Sequence, residues 1–600
     1  MCGIVGAVGL VSPREYVEKG LKMLDYRGYD SAGVAYFNNG IEIYKDVGSV
    51  DHLMSLVPTN ISSPLMIGHT RWATHGAPNK NNTHPHISFH KRICLVHNGV
   101  IDNYKELKSF LLEKGYEFYG ETDSEIVANL LEYHYEITHD ALKAIKNVLP
   151  LLKGSFAITF FTDDEPHALY VFKKASPLVI GLGEGFNLVA SDASPMINYT
   201  NEFIELGDLE YGVINKEEAI FFNGEGQEIK KELIHKDIEL ISHDLKGYPH
   251  YMLKEIEEIV PVVNRLVSTY YQDNKFQFSD GLIKDLKESD HIIFLACGTS
   301  YHASLVGGRY FEKYDKSASR FIASEWAFHP TFPGQKPFII LISQSGETAD
   351  LIHCLQIIKQ NGLKNLVITN TGGSSLDRNC QYSLLLHAGI EVSVASTKAY
   401  VAQVTLLAML AASLKNDKQV INDLKESLQV VDDIQNNYKP IIQKVAEELK
   451  DKHNIFYLGR SFDYFLSLEA SLKLKEISYI HSEAIPGGEL KHGPIALIEN
   501  GIPVIVFITD PITANSMRAN IEEVKSRGAK VYVVSTKELS HADDTIVVKD
   551  YAYYLSSVAI SSIAFYLAYY VALKKGLNVD KPRNLAKSVT VEEYKLYLFF

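Results

Sequence analysis

The second residue of the chain is a cysteine, Cys2. Removal of Met1 would place its thiol and a free α-amine on one residue, and an amine with a reference pKa of roughly 8 is a built-in general base for that nucleophile. Taken alone, a cysteine in an apolar opening strand is more often a small core side chain. A second kind of chemistry is suggested by three loops of small and hydroxyl-bearing residues: Cys297-Gly298-Thr299-Ser300, Ser343-Gln344-Ser345-Gly346-Glu347-Thr348 and Val394-Ala395-Ser396-Thr397. Each opens a helix, where backbone N–H groups, the helix dipole and side-chain hydroxyls suit a phosphate monoester. The loop at Ser343 has no lysine, which argues against a nucleoside triphosphate. One such loop is usually no more than a capped helix start, whereas three in one lobe carry more weight.

These residues need two different scaffolds. Up to about residue 240 the sequence reads as short strands (Ile4–Leu10, Gly33–Phe37, Ile41–Val47, Met66–His69, Ile93–His97, Phe156–Phe161, Ala168–Phe172) with a few helices, an α+β pattern. Ser12-Pro13-Arg14-Glu15 and Thr122-Asp123-Ser124-Glu125 have the spacing of capping boxes. After about residue 250 buried strands alternate with long amphipathic helices, which implies a parallel sheet covered by helices. That part repeats itself: the segments from Pro337 and Pro503 align, as do Gly362 and Gly528, at one offset of 166 residues. His291–Ser300 likewise resembles His453–Phe462. Two doubly wound α/β lobes in tandem follow. In the second copy, Gly459-Arg460-Ser461-Phe462 and Thr509-Asp510-Pro511-Ile512 have lost most of the hydroxyls, so the first lobe is the one expected to hold phosphate.

Composition excludes several classes. The 600 residues exceed a single core, since cores stop growing at about 250–300 residues. The apolar fraction of 46% and charged fraction of 22% are those of a globular protein. A net charge of −14 without a local basic patch argues against nucleic acid. Five scattered cysteines with neither C-x-x-C nor HExxH spacing indicate no disulfide framework, no metal and a reducing cytoplasm. No other cofactor is expected. Tyr551–Leu573 has no charge and is long enough to span a bilayer, but its serines and tyrosines are spread along it rather than gathered into belts. A buried or interface helix is expected there, and no membrane.

Four ordered motifs accompany Cys2: GHTRWATHG (Gly68–Gly76), THPH (Thr83–His86), VHNG (Val96–Gly99) and ETDSE (Glu121–Glu125). With them, residues 2–240 resemble the class II, N-terminal-nucleophile glutamine amidotransferases, which implies an αββα glutaminase domain. The resemblance implies that Arg71 and Asp123 clamp the carboxylate and amine of glutamine, that Trp72, Thr74 and His75 also line that site, and that Asn98 and Gly99 donate to the oxyanion. No proton-transfer role is expected of His75 or His86. For Asp123 alone the competing reading is a carboxylate favoured by a helix N-terminus.

The loops of the rear half resemble the sugar isomerase domain family. HYMLKEI (His250–Ile256), LKLKEISYIHSEA (Leu472–Ala484), GGELKHGP (Gly487–Pro494) and PRNLAKSVTVE (Pro582–Glu592) resemble amidotransferases that join such lobes to a glutaminase, so the likeness covers essentially the whole chain. It implies the substrates L-glutamine and fructose 6-phosphate, the product glucosamine 6-phosphate, and ammonia kept from water between two sites that close together. By the same resemblance Lys587 forms a Schiff base with the open-chain ketose, Glu476 moves a proton between C1 and C2, His492 assists ring opening and Lys473 supports proton movement near the ring oxygen. Cys297, Gly298, Thr299, Ser300, Ser343, Gln344, Ser345, Thr348, Val394, Ala395 and Ser396 are the expected sugar-phosphate contacts. The competing readings are a surface ion pair for Lys473 and Glu476, and a solvated tail for Lys587.

The expected organisation is a glutaminase domain over 2–240, a linker and helical lead-in over 241–280, lobes over 281–425 and 445–575, and a tail over 576–600 carrying the lysine. The long uncharged helix and the resemblance imply a homodimer or higher homo-oligomer, and the resemblance implies that His492 serves the neighbouring subunit and that Trp72 and the segment near Lys587 act as gates. The chain departs from the family pattern at Glu258-Ile259-Val260 and Gly459-Arg460-Ser461, and continues from Glu593 to Phe600 past the usual end. Other enzymes fit less well: a deglycase would lack the front half, and a phosphoribosyl-pyrophosphate amidotransferase would need an acidic motif that is absent. A non-catalytic sugar-phosphate sensor would need only the phosphate loops, not Cys2, Glu476, His492 and Lys587 together.

Overall fold

The computed structural model describes residues 2–24, 28, 30–71, 79–235 and 245–588. They form two compact units, one built from the chain up to His243 and the other spanning Asp244–Lys587. Trp72, Thr74, His75 and the Glu593–Phe600 extension lie outside the described residues.

In the first unit β1 (Gly3–Val8) is buried along its whole length because its two faces meet different apolar layers. Val5 and Ala7 pack with Tyr16, Val17 and Leu21 of α1 (Pro13–Leu24). Ile4 and Val8 face inward against residues of a second sheet such as Val96, Ala157 and Phe161. β1 runs antiparallel between β2 (Leu65–Arg71) and Asn187–Ala190 in an eight-stranded sheet. The opposing seven-stranded sheet pairs β3 (Ile93–Ile101) with β4 (Gly154–Thr162) and buries its outer face under α2 (Asp123–Thr138). This is the αββα layering expected of the front half. The expected capping box of α2 is half formed. Thr122 Oγ1 accepts from the Glu125 N–H at 3.3 Å, but the Glu125 carboxylate accepts from Tyr119 and Gly120 N–H, each at 2.7 Å.

The second unit begins with α3 (Tyr251–Glu257) and α4 (Ile259–Tyr270). Met252, Ile256, Ile259 and Val263 of this expected lead-in are part of the core rather than a solvated linker. Two five-stranded parallel sheets follow. In the first, β5 (His291–Ala296) lies between Ser317–Ile322 and β6 (Pro337–Ser343), followed by Lys364–Thr369 and Tyr382–Leu385. In the second, β7 (Asn454–Gly459) lies between His481–Pro486 and β8 (Pro503–Ile508), in the same order. The strand order reverses between the first and third strand of each lobe. Ligands of doubly wound sheets bind outside the carboxyl ends of the strands at such a point.

At that point in the first lobe β5 and β6 end, followed by α5 (Gly298–Lys313) and α6 (Ala349–Gln360). The uncharged stretch of the sequence lies in a helical segment, Tyr553–Lys574, buried in this unit from Leu555 to Ala572 together with most of α7 (Lys398–Ser413). α8 (Phe462–Ser478) of the second lobe packs on α5 of the first, so side chains from both lobes can meet.

Candidate functional site

The chemistry-bearing residues of the first unit gather at one end of its sheets. Cys2 directly precedes β1 and is half-buried. Its carbonyl accepts from Asn98 Nδ2 at 3.0 Å, and the same amide nitrogen donates to Ser191 Oγ at 2.8 Å. Ser191 Oγ also accepts from the Ile4 N–H at 2.7 Å, so one buried hydroxyl ties the opening strand to the Asn98 side chain. Nothing in the local sequence marks Ser191; its place depends on contacts 187 residues apart.

Asn98 is fixed from its other end. His69 Nε2 lies 3.0 Å from both Asn98 Oδ1 and the His97 carbonyl, which assigns the ring proton to Nε2. Burial pushes His69 down to about 3, and it pushes His86 below its usual range, so both rings are neutral. The next residue, Gly99, has φ +129°, and a Cβ there would lie 2.0 Å from the Ser155 carbonyl oxygen, so only glycine fits.

Arg71 closes β2 and is 3% exposed. Burial lowers its pKa, while Cys2, Asp123 and Asp30 act in the opposite direction. Asp123 opens α2, and its Oδ2 accepts from the Ile101 N–H at 2.8 Å, two residues past Gly99. One cation, one anion, a thiol and amide donors therefore share one site, as an amino-acid substrate requires. We expect Asn98→Ala to lower kcat for glutamine hydrolysis by about 10²–10³-fold with little change in KM, measured as glutamate release.

In the second unit the loop after β6 folds on its own hydroxyls. Ser343 Oγ lies 2.8 Å from Thr348 Oγ1 and accepts from the Gly346 N–H at 3.0 Å, and the Glu347 N–H donates to Ser345 Oγ at 3.2 Å. Gly346 has φ +67°, and a Cβ there would meet Ser374 Oγ at 1.9 Å. The Gln344 carbonyl accepts from the Asn370 N–H.

The other two loops are used differently. Cys297 and Gly298 start α5, and burial pushes the Cys297 thiol up to about 12. Thr299 Oγ1 donates to Glu469 at 3.1 Å, and Ser300 Oγ accepts from Gln403 at 3.0 Å. The Val394 N–H donates to the Asp580 carbonyl, Ala395 is buried, and Ser396 Oγ donates to Glu391 at 2.7 Å. Of the expected phosphate hydroxyls, those of Thr299 and Ser396 are thus committed to carboxylates of the chain.

The second lobe carries a built-in anion where the first carries its hydroxyl loop. Asp463, fully buried on α8, accepts from the Thr509 N–H at 2.8 Å, from Thr509 Oγ1 at 2.5 Å and from the Asp510 N–H at 3.3 Å. Thr509 stands 166 residues after Ser343. The aspartate takes the donors that a phosphate would need, a physical reason for the lost hydroxyls of that copy.

Lys473 and Glu476 are not a surface pair. Lys473 has a 1% exposed side chain, with Nζ 2.6 Å from Glu476 Oε2 and 3.4 Å from Glu469 Oε1. Burial works against its charge, but Glu469 and Glu476 outweigh burial and hold its pKa above the usual lysine value. Glu469 is itself buried and bonded at 2.7 Å to His302 Nδ1 across the two lobes. The i, i+4, i+7 spacing of Glu469, Lys473 and Glu476 was the available sequence signal for this extra carboxylate. Burial raises Glu476 above the usual carboxylate range even though Lys473 opposes it, which suits a proton acceptor.

Lys587 is not solvated either. Its side chain is 5% exposed, and Nζ donates to Glu391 Oε2 at 2.6 Å and to the Ser393 carbonyl at 2.8 Å. Glu391 also accepts from Ser396 Oγ and from the Thr397 and Ala399 N–H groups at the start of α7. Burial opposes its charge, but Lys587 and these donors outweigh burial and hold Glu391 down to about 2. Lys587 lowers the pKa of Glu476 slightly and Glu391 raises that of Lys473, so the charge of each pair is felt at the other. His492 is exposed on the turn Glu489–His492, and its side chain makes no hydrogen bond among the described residues.

Comparison with known proteins follows this division. A glutamine amidotransferase domain model matches residues 69–198, and an SIS domain model matches residues 285–413 and 448–574. The glutamine–fructose-6-phosphate aminotransferase (isomerizing) of Bacillus licheniformis is 43% identical over 99% of this chain and 100% of its own. That of Staphylococcus aureus strain Mu50 is 42% identical over the same shares. Among solved structures, the C-terminal domain of glucosamine-fructose-6-phosphate aminotransferase from Francisella tularensis is 33% identical, with a TM-score of 0.53, covering 56% of this chain and 100% of that domain.

Proposed function

The chain belongs to the glutamine–fructose-6-phosphate aminotransferase (isomerizing) family, and we propose that it divides the reaction between Cys2 in the first unit and Lys587 in the second. The enzyme hydrolyses L-glutamine and converts fructose 6-phosphate to glucosamine 6-phosphate.

In the first half-reaction the Cys2 thiol attacks the γ-carboxamide carbon as its proton passes to the α-amine, which later returns it to the departing nitrogen. The Asn98 Nδ2 proton that now donates to the Cys2 carbonyl turns, with the Gly99 N–H, to the negative oxygen, and Arg71 and Asp123 hold the substrate's α-carboxylate and α-amine. Collapse expels ammonia, and water then cleaves the thioester to glutamate.

In the second, the Ser343–Thr348 loop holds the phosphate and His492 assists ring opening. The Lys587 amine adds to the C2 carbonyl and water leaves, giving an iminium ion. Ammonia displaces the lysine at C2, after which Glu476 removes a proton from C1 and returns one to C2, generating the C1 aldehyde of the aminosugar. The carrying observation is the two buried lysine–carboxylate pairs, Lys587–Glu391 and Lys473–Glu476, which supply a nucleophilic amine and, within electrostatic reach of it, a carboxylate of raised pKa. His492 is exposed, which leaves it open to a second copy of the chain, and it is read as serving that copy in a homodimer. Cys94, Cys297, Cys354 and Cys380, which form no disulfide, fit a cytoplasmic enzyme.

The test is incubation with amide-¹⁵N glutamine and fructose 6-phosphate, followed by mass spectrometry. Labelled glucosamine 6-phosphate with unlabelled glutamate is the expected result. Glutamate formed with no labelled sugar would leave the first site standing and reject the second.

A further inference from the structure

One buried carboxyl beside Lys587 has no part in the steps above. Glu255, on α3, is 2% exposed. Its Oε1 accepts from the backbone N–H groups of Val392 and Ser393, the latter at 3.2 Å. The carbonyl of Ser393 accepts from Lys587 Nζ at 2.8 Å, so the carboxyl and the lysine grip one peptide segment from two sides. The same segment is tied down by Val394 N–H donating to the Asp580 carbonyl, while the Asp580 carboxylate accepts from the Tyr251 and Met252 N–H groups that begin α3.

The two oxygens of Glu255 are not equivalent. Oε1 has two donors, whereas Oε2 is buried with no hydrogen-bond partner among the described residues. An undonated oxygen of a buried carboxylate carries charge without a partner, whereas a protonated one is a neutral hydroxyl, whose burial without a partner costs less. Burial and then Glu391 push this group up to about 8, with Lys587 and Lys398 opposing. Of the other charged groups on or against α3, Lys398 is paired with Glu258 at 2.6 Å, Lys254 lies 3.9 Å from Glu258, Lys439 and Tyr566 bond to Glu257, and Tyr569 bonds to His250.

We propose that Glu255 is a positioning residue for Lys587: it carries a proton on Oε2 at neutral pH, anchors the Val392–Ser393 peptides through Oε1, and leaves Glu391 as the anion that orients the amine. This rests on the reading of Lys587 as the ketose-binding lysine. Ionisation of Glu255 would set a second anion near the ammonium and make the neutral amine harder to form.

The experiment reads Lys587 without using glutamine or Cys2. The enzyme is mixed with fructose 6-phosphate and sodium cyanoborohydride, whose hydride reduces the iminium carbon to a stable secondary amine. The rate of adduct formation is followed by mass spectrometry from pH 6.5 to 9.5. In the native enzyme the rate should stop rising at about pH 8, where Glu255 ionises. Glu255→Gln keeps an acceptor at Oε1 and cannot ionise. Its rate should match the native enzyme within about twofold at pH 7 and exceed it about tenfold at pH 9. Glu255→Ala, which frees the segment, should be at least about tenfold slower throughout.

An unchanged pH profile in Glu255→Gln overturns the proposal; should Glu255→Ala not fold, that profile alone decides. No Lys587 adduct in the native enzyme would instead reject the role of the lysine itself, and the proposal with it.

Discussion

Lys587→Arg should fold, release glutamate from glutamine and yet make glucosamine 6-phosphate at least about 10³-fold more slowly than the native enzyme. Arginine preserves the charge facing Glu391, so the buried carboxylate stays paired, but a guanidinium does not form an imine with a ketose. Alanine is the weaker test. Removing one partner of a buried pair costs about 3–5 kcal/mol, and loss of activity would then be confounded with loss of structure. If Lys587 were only a strut for the Glu391 loop, arginine would keep most of the synthesis. Retention of more than about a tenth of the rate would therefore defeat the assignment. Following glutamate and aminosugar in one reaction separates the two sites, because the variant lies in the second unit and Cys2 in the first.

The features that sequence conveyed well are periodic or local. The 166-residue offset between Ser343 and Thr509 places them at equivalent strand ends, Ser343 closing β6 and Thr509 following β8. β1 was legible because its apolar run is short and bounded by glycine and serine. The strand ends were less so: β3 runs on past His97 to Ile101, carrying Asn98 and Gly99 within the sheet rather than in a loop. Polar residues at such positions break the alternation that marks a strand, and here they break it because they line a site.

What the sequence did not reveal is who meets whom. Glu391 lies in a stretch without regular structure, and its importance comes from a lysine 196 residues away. Glu255 stands in a motif read as a family signature, yet its carboxyl acts on peptides 137 and 138 residues further on. Asp463, near the start of α8, reads as a favourable charge for a helix dipole, while its carboxylate fills a loop 46 residues later. Spacing along a helix can suggest Glu469 beside Lys473, but no local pattern says that the pair is buried or that His302 faces it from another lobe.

The largest effect in the first unit should come from Cys2→Ala, which is expected to lower glutamine hydrolysis at least about 10³-fold. Ammonium added in excess should still give glucosamine 6-phosphate, because the second unit does not depend on the thiol for its own chemistry. The rival view is that Cys2 only fills the mouth of β1 and that another thiol attacks glutamine. The surroundings of the other cysteines speak against it. Burial pushes Cys297 and Cys380 up to about 12, and it pushes Cys94 and Cys354 above the usual thiol range. All four are thereby kept as thiols at neutral pH, whereas the thiolate is the attacking form. Half-buried Cys2 is followed by the strand that Ser191 ties to Asn98, so the nucleophile and the amide donor are held by one hydrogen-bond chain. Hydrolysis surviving in Cys2→Ala within about tenfold of the native rate would require a different nucleophile.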